Sequence, residues 1–559
     1  MKSSEKLSKN ELKRLIKVAK GEEKADLVIK SAEVVNVLTE EIYRADIAIC
    51  GDRIAGIGGY EGISEIDARG LYAVPGLIDA HTHVEMSLLT LSEFARVVVP
   101  RGNTCIVADP HEIANVLGKK GVLYFLEESK HASIRFYCLV PSCVPSSTLE
   151  TPGGIITAED VEELLKFDKV IGLAELMNYP GVLNCDDELI EKICRSELVD
   201  GHCPALSGKA LNAYVSAGMR SDHESTSIEE AKEKLRLGMR IMVREGSAAK
   251  NLQKLKKILG NRYSMLVTDG DRSVFDLLTE GYLDSALRKA FDEGVDEFKA
   301  LQAVTLNPAE YFGINAGLIA PGRFADIVLL KNLRRFEVEK VILGGKEPVF
   351  SRYSYPDEAK MTIKARKISE EDLFLPAGLS RIIEVIDGEI LTEESLEIVK
   401  GIDTERDILK AVVVERHKGT GNIGKAYVRG FGLKRGAIAQ SVAHDAHNIV
   451  SVGASESAIC RAVNRVIDIG GGIVVYDGDF YELQLIIAGI MSDESAEKVA
   501  EKLRIVERKL KELGCKLKSP IITLSFIALP VIPKLKLTDL GLVDVENFRV
   551  VAPVVKKED

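Results

Sequence analysis

Between Val74 and Asp269 the chain alternates short apolar runs with amphipathic stretches eight times. The first run, Pro75-Gly76-Leu77-Ile78-Asp79-Ala80-His81-Thr82-His83, ends in His-x-His. The others are centred on residues 104–108, 135–140, 170–174, 198–201, 219–222, 240–244 and 264–268. Helical patterns lie between them, among them 158–167, 187–195, 228–237 and 252–259, and Thr157/Asp160 and Ser227/Glu230 are spaced as capping boxes. Eight such units predict an α/β fold, a (β/α)8 TIM-type barrel. A doubly wound open sheet has the same rhythm, but it would hold the first and eighth strands apart.

Polar residues gather at one end of these runs. Side chains two apart on a strand point the same way, so His81 and His83 can converge on one ion. Glu175, His202, His223 and Asp269 end runs four, five, six and eight. In a closed barrel Asp269 lies beside His81 and His83 and completes their site. His202 and His223 can hold a second ion, and Glu175, between the two groups, can bridge them. Two cations about 3.5–4 Å apart that share a carboxylate form a hydrolytic arrangement. A single His at a strand end is more often a loop residue than a ligand; six ligand types in barrel order carry the inference. Asp79 and Glu85, which flank the motif, read as structural.

Asp109, His111 and Glu112 follow the second run and face the same barrel mouth, as candidate substrate-binding residues; a helix cap and a loop salt bridge are the alternative. Asn178 and Tyr179, just past Glu175, are candidates to stack on or hydrogen-bond a ligand, and Asp271 and Arg272 add further candidate contacts. Glu224, next to His223, is a candidate acid or base, with a salt bridge to Arg220 or another barrel cation as its alternative. His444, Asp445, His447 and Asn448 form a further polar group, readable as a lid over the mouth, with His447 reaching substrate, as an organiser of its own domain, or as a further metal site.

A chain of 559 residues is too long for one core. Residues 1–73 read as a charged helix and the first part of a small β-sandwich, 74–312 as the barrel, 313–367 as the rest of the sandwich and 368–559 as a C-terminal α+β domain. The helix carries Leu12, Leu15, Ile16 and Ala19 on one face, and the glycine-rich 419–424 reads as a tight turn. A net charge of −11 argues against non-specific nucleic-acid binding. No apolar run nears the ~20 residues of a membrane span, and the first residues lack a signal-peptide core, so a cytoplasmic protein without membrane partners is expected. The nine cysteines form no CxxC pair and read as buried free thiols.

Pro-Gly-Leu-Ile-Asp-x-His-x-His, with Gly317-x-Ile319-x-Pro321-Gly322-x-x-Ala325-Asp326 far downstream, resembles the amidohydrolase superfamily. Val107-Ala108-Asp109-Pro110-His111-Glu112-Ile113-Ala114-Asn115, the stretch 172–182, Asp200-Gly201-His202-Cys203-Pro204, Ser221-Asp222-His223-Glu224 and the stretch 441–449 narrow the resemblance to the adenine deaminase family. Strand four offers Glu175 and no lysine at its C-terminal end, where many superfamily members carry a carboxylated lysine; Lys169 lies before the strand. The resemblance implies hydrolytic deamination of free adenine to hypoxanthine and ammonia, in purine salvage, by a hydroxide on a binuclear metal centre. It implies two divalent transition-metal ions, manganese or iron favoured and zinc an alternative, although imidazole and carboxylate ligands alone do not choose among zinc, iron, manganese and cobalt. Asp269 would carry the proton from the hydroxide to the departing amine, and Glu224 would protonate the ring. A homodimer is the expected assembly. Hydrolysis of a cyclic amide or imide on the same metal centre is the competing enzyme reading, and a non-catalytic barrel would be expected to have lost ligands that are all present here.

Overall fold

The structure, a computed structural model, describes residues 6–247 and 250–555. Helix Lys9–Ala19 opens the described chain, started by a reciprocal capping box between Ser8 and Glu11. It turns Leu15 and Val18 onto the neighbouring sheet, whereas Leu12 and Ile16 are 48% and 50% exposed. The apolar stripe is wider than the contact, and only its 15/18 edge is covered.

That sheet has seven strands, five from the N-terminal segment and two, Ile327–Asn332 and Glu337–Ile342, from beyond the barrel. Its long strand Ala25–Asn36 pairs antiparallel with Glu41–Cys50 and, along its other edge, parallel first with Gly62–Asp67 and then with Tyr72–Pro75. Ile327–Asn332 adds antiparallel to Tyr72–Pro75, so the β-domain is discontinuous in sequence. The chain passes from this sheet into the barrel at Gly76, where a Cβ would meet the Thr104 side chain at 2.0 Å. Only glycine permits that approach.

The barrel strands are Leu77–Thr82, Asn103–Ala108, Arg135–Val140, Val170–Leu176, Val199–Gly201, Ser221–Asp222, Arg240–Arg244 and Ser264–Val267. Alternate residues serve two cores, Val107 and Leu139 inside the barrel and Ile106 and Val140 against the helices. Both faces are buried, which is why the strands read as continuous apolar runs. Strands one to five and six to eight pair in parallel as two arcs. A single bridge, Val199 to Met219, joins five to six. Eight meets one where Asp269 N–H donates to His81 O at 3.2 Å and the Thr268 hydroxyl donates to Asp79 Oδ2 at 2.6 Å. Burial lifts the Asp79 carboxyl to about 6 against the hydrogen bonds of Thr268 and Tyr282. Asp79 is a staple across the closing seam.

Thr157 and Asp160 form the expected reciprocal box at helix Ala158–Leu164. Ser227 caps Ile228–Arg236, but Glu230 turns its carboxylate to Ala205 N, Thr226 N and Lys234 instead of closing a box.

The C-terminal region is an eight-stranded sheet running from Thr392–Val399 at one edge to Asp479–Gln484 at the other, with helices Glu456–Asp468 and Ala496–Glu512 and a small three-stranded sheet. Residues 417–420 turn about Glu415, whose carboxylate accepts the N–H groups of His417, Lys418 (2.6 Å) and Thr420 (2.7 Å). This domain grips the barrel: Glu93 accepts Ala496 N–H, Arg96 pairs with Glu497, Thr151 donates to Asp539, and Asn448 donates to the Thr151 carbonyl. All nine cysteines are free, seven of them buried. Among the described residues no helix is long and apolar enough to cross a membrane.

Candidate metal centre

Six side chains from five strand ends converge at the C-terminal mouth of the barrel. Glu175, buried at the end of strand four, divides its two oxygens between two pairs of imidazoles. Oε1 lies 3.7 Å from His81 Nε2 and 3.3 Å from His83 Nε2. Oε2 lies 2.7 Å from His202 Nδ1 and 3.1 Å from His223 Nε2. Asp269 Oδ1 stands 3.2 Å from His81 Nε2, 3.3 Å from His83 Nε2 and 3.9 Å from His223 Nε2. Its backbone is left-handed, φ 58°, and that of Gly270 follows at 65°. A Cβ on Gly270 would lie 2.6 Å from the His83 backbone, so this turn presses the eighth loop against the first.

Outer contacts orient the ligands. His83 Nδ1 lies 2.9 Å from the Asp109 carbonyl, to which it donates, so its Nε2 lone pair faces the centre. Asp222, fully buried, accepts Cys203 N–H at 3.0 Å and, on its other oxygen, Ser225 N–H at 3.0 Å and the Lys234 ammonium at 2.8 Å. One carboxylate thereby fixes the turns that carry both His202 and His223. Asp222 was not singled out in the sequence, although it is the last residue of a barrel strand.

Asp109, His111 and Glu112 lie beside this centre and are buried. His111 Nδ1 is 3.3 Å from Asp109 Oδ2 and 4.0 Å from Glu175 Oε1, and its ring sits 4.5 Å from that of His83. Asp109 does not cap the following helix, His111–Leu117. Glu85 does the anchoring, accepting Ile113 N–H at 3.2 Å, and burial pushes its carboxyl up to about 7. His447 reaches Glu112 from the C-terminal domain, 2.5 Å between Nε2 and Oε2. Asn178 has a different task from the one expected. It is exposed, and its side-chain oxygen caps helix Tyr179–Leu183 by accepting Gly181 N–H at 2.9 Å. Tyr179 is half-buried against the hydrophobic core, and Arg272 pairs with Glu280 at 3.1 Å.

Glu224 makes a salt bridge, to Arg244 and not Arg220: Nη1 lies 2.6 Å from Oε1. The same Arg244 Nη1 holds Asp269 Oδ2 at 2.8 Å. Glu224 Oε1 also lies 3.6 Å from His223 Nε2 and 3.8 Å from His202 Nδ1. Arg244 ends strand seven, and the position rule that picked out the ligands would have found it had arginine been counted among the chemical groups of the mouth.

Divalent cations fit this donor set. His81 Nε2 is buried and makes no well-aligned hydrogen bond among the described residues despite its carboxylate neighbours. The His81 and His223 rings stack at 4.2 Å, an arrangement that two imidazolium ions would oppose. Burial alone would depress these rings, yet the neighbouring Asp269 and Glu175 carboxylates raise His81 to about 10, and Glu224 and Glu175 raise His202 to about 8. With an ordinary histidine near 6.5, protonated rings stabilise the ion-free fold fully below pH ~6.5, and that contribution is lost as pH rises through 8 to 10. A cation must displace the same protons, so its affinity climbs over the same window. The melting temperature of chelator-treated protein is therefore expected to fall between pH 7 and 10, and manganese added at pH 7 to release protons into weakly buffered solution. A flat melting profile with no proton release would contradict this account.

Residues 72–347 match the profile of the Amidohydrolase family and residues 388–549 that of the Adenine deaminase C-terminal domain. The chain is 65% identical over 541 residues to an adenine deaminase of Archaeoglobus fulgidus, covering 97% of each protein. It is 44% identical over 564 residues to an adenine deaminase of Dehalococcoides mccartyi, covering 97% of this chain and 99% of that one. To adenine deaminase 2 of Carboxydothermus hydrogenoformans it is 44% identical over 565 residues, with the same shares covered. Similarity of this degree runs through barrel and C-terminal domain alike, and the chain belongs to the adenine deaminase family.

Proposed function

We propose that this chain hydrolyses free adenine to hypoxanthine and ammonia at the barrel mouth. The observation that carries the reading is Glu175, one buried carboxylate with an oxygen turned to each of two imidazole pairs. His81, His83 and Asp269 would hold one ion and His202 and His223 the other, with Glu175 shared. Two divalent cations bound there would lower the pKa of water from 15.7 toward about 7 and so provide hydroxide near neutral pH. Asp269 faces that position with Oδ1 while Arg244 fixes Oδ2, so it is placed to take the nucleophile's proton and return it to the departing amine. Glu224 is our candidate for protonating the ring. It shares the Arg244 guanidinium with Asp269, so a proton arriving on either carboxylate weakens one salt bridge while the other holds. Asp109, His111 and Glu112 supply polar atoms for the purine edge, Asp109 Oδ1 being buried with no hydrogen-bond partner among the described residues.

Manganese or iron is the metal pair we favour, with zinc the alternative. The test is loss of adenine absorbance with stoichiometric ammonia after reconstitution with manganese, iron, zinc or cobalt. Ammonia from adenine and none from dihydropyrimidines is expected. Ring opening of a dihydropyrimidine with adenine untouched would replace this reading by a cyclic amide hydrolase.

A further inference from the structure

Glu112 is held from outside the barrel. His444 Nδ1 lies 2.8 Å from its Oε1 and His447 Nε2 2.5 Å from its Oε2, and all three side chains are buried. Both imidazoles belong to the loop between strands Ala437–Gln440 and Ile449–Gly453 of the C-terminal domain. That loop is fixed in turn. Arg416, fully buried, reaches the His447 carbonyl and, at 3.0 Å, the Ala488 carbonyl; His417 Nε2 lies 2.6 Å from Ala446 O; Ser525 Oγ accepts His444 N–H at 3.1 Å.

Two histidines and a glutamate invite a reading as a third cation site. The tautomer of His447 speaks against it. Its Nδ1 accepts the Ala443 backbone N–H at 3.2 Å, so the ring proton sits on Nε2, toward Glu112. His83 shows the opposite arrangement, with Nδ1 facing a carbonyl and Nε2 turned to Glu175 and Asp269. A nitrogen that carries a proton has no lone pair to give a cation. Burial also depresses His447, which keeps that ring neutral.

We infer that His444 and His447 are positioning residues: each sets a ring nitrogen against one oxygen of Glu112, so the docked C-terminal domain orients a carboxylate of the barrel mouth. Glu112 stands next to His111, 3.6 Å from Oε1 to Nε2, and His111 is 4.0 Å from the shared Glu175. The clamp thus ends one side chain away from the metal ligands. Its consequence is that purine binding in the barrel depends on two rings outside it. The inference rests on the deaminase reading, since Glu112 is placed at the purine by that reading.

The experiment compares metal-loaded, full-length variants. His447→Leu and His444→Leu are each expected to lower kcat/KM for adenine by about 10- to 100-fold, chiefly through KM, with metal content unchanged. His444→Asn keeps an amide N–H near the Nδ1 position and His447→Gln keeps one near Nε2, so each should recover most of the loss. A double-mutant cycle separates positioning from domain adhesion. If the histidines act through Glu112, adding His447→Leu to Glu112→Gln costs little beyond Glu112→Gln alone. Multiplying losses in the double variant, or no recovery by the amide variants while melting temperatures match wild type, would overturn the clamp. So would loss of one metal equivalent in His447→Leu, which would make the cluster a cation site. Failure of wild-type protein to release ammonia from adenine would instead remove the deaminase reading, and with it the clamp's role in purine binding.

Discussion

Glu175→Gln is expected to lower kcat/KM for adenine by about 10,000-fold, the scale on which removal of a central catalytic group acts, and to cut bound metal from two ions per chain to one or fewer. Glutamine has the shape of glutamate but offers a single acceptor oxygen. Whichever way the amide turns, an NH2 group faces one imidazole pair where a lone pair is needed. The wild-type carboxylate is buried, which alone would raise its pKa, yet the charge of His223 and hydrogen bonds from His202 and His223 hold it well below the ordinary carboxylate range. It is therefore ionised and available to two cations at once. The substitution also leaves four rings, His81, His83, His202 and His223, around a neutral centre. Rings so placed can lose their protons, so the fold is expected to survive, and a near wild-type melting temperature would show that metal and rate were lost without unfolding. Two ions per chain with substantial turnover in Glu175→Gln would sink the shared-carboxylate centre.

The barrel was legible because its strands are buried on both faces and stand out as unbroken apolar runs. Their limits were less so. Strand four continues through Glu175 to Leu176, whereas strand six shrinks to Ser221–Asp222 because Met219 meets its neighbour by one bridge at a seam. The six proposed ligands were legible because a histidine or carboxylate ending an apolar strand is chemically conspicuous. Arg244 sits in the same register and was passed over, being no ligand for a cation. Asp222 was overshadowed by its neighbour His223. Asn178 reads in the sequence as a candidate to stack on or hydrogen-bond a ligand, although an asparagine three residues before Gly181 is also a helix N-cap, the role its side-chain oxygen takes in the structure. The pairing of His444 and His447 with Glu112 lay beyond sequence pattern altogether, since it depends on how one domain docks against another.

Asp269→Asn is the sharper test of chemistry. A drop in kcat of about 1,000-fold is expected, within the range of a lost general acid–base, while most of the metal is retained. Both Asp269 oxygens are engaged, Oδ1 toward His81 and His83 and Oδ2 toward Arg244, and its carboxyl is held well below the ordinary range against burial by the charge of His223, the adjacent His81 and His83 rings, and Arg244. An asparagine can keep its oxygen toward the two imidazoles only by turning its NH2 toward the Arg244 guanidinium, where two donors meet. Some weakening of metal binding follows from this conflict, and it has to be separated from loss of the proton carrier. Titrating the variant with excess manganese does so. If Asp269 served only as a ligand, saturating metal would restore turnover, because the missing contact is offset by mass action. If it carries the proton, the site fills and the rate stays low, since an amide cannot take a proton from the nucleophile and pass it to the departing amine. Pairing the change with Arg244→Leu sharpens the contrast: relief of the donor–donor conflict should improve metal retention in the double variant without returning kcat.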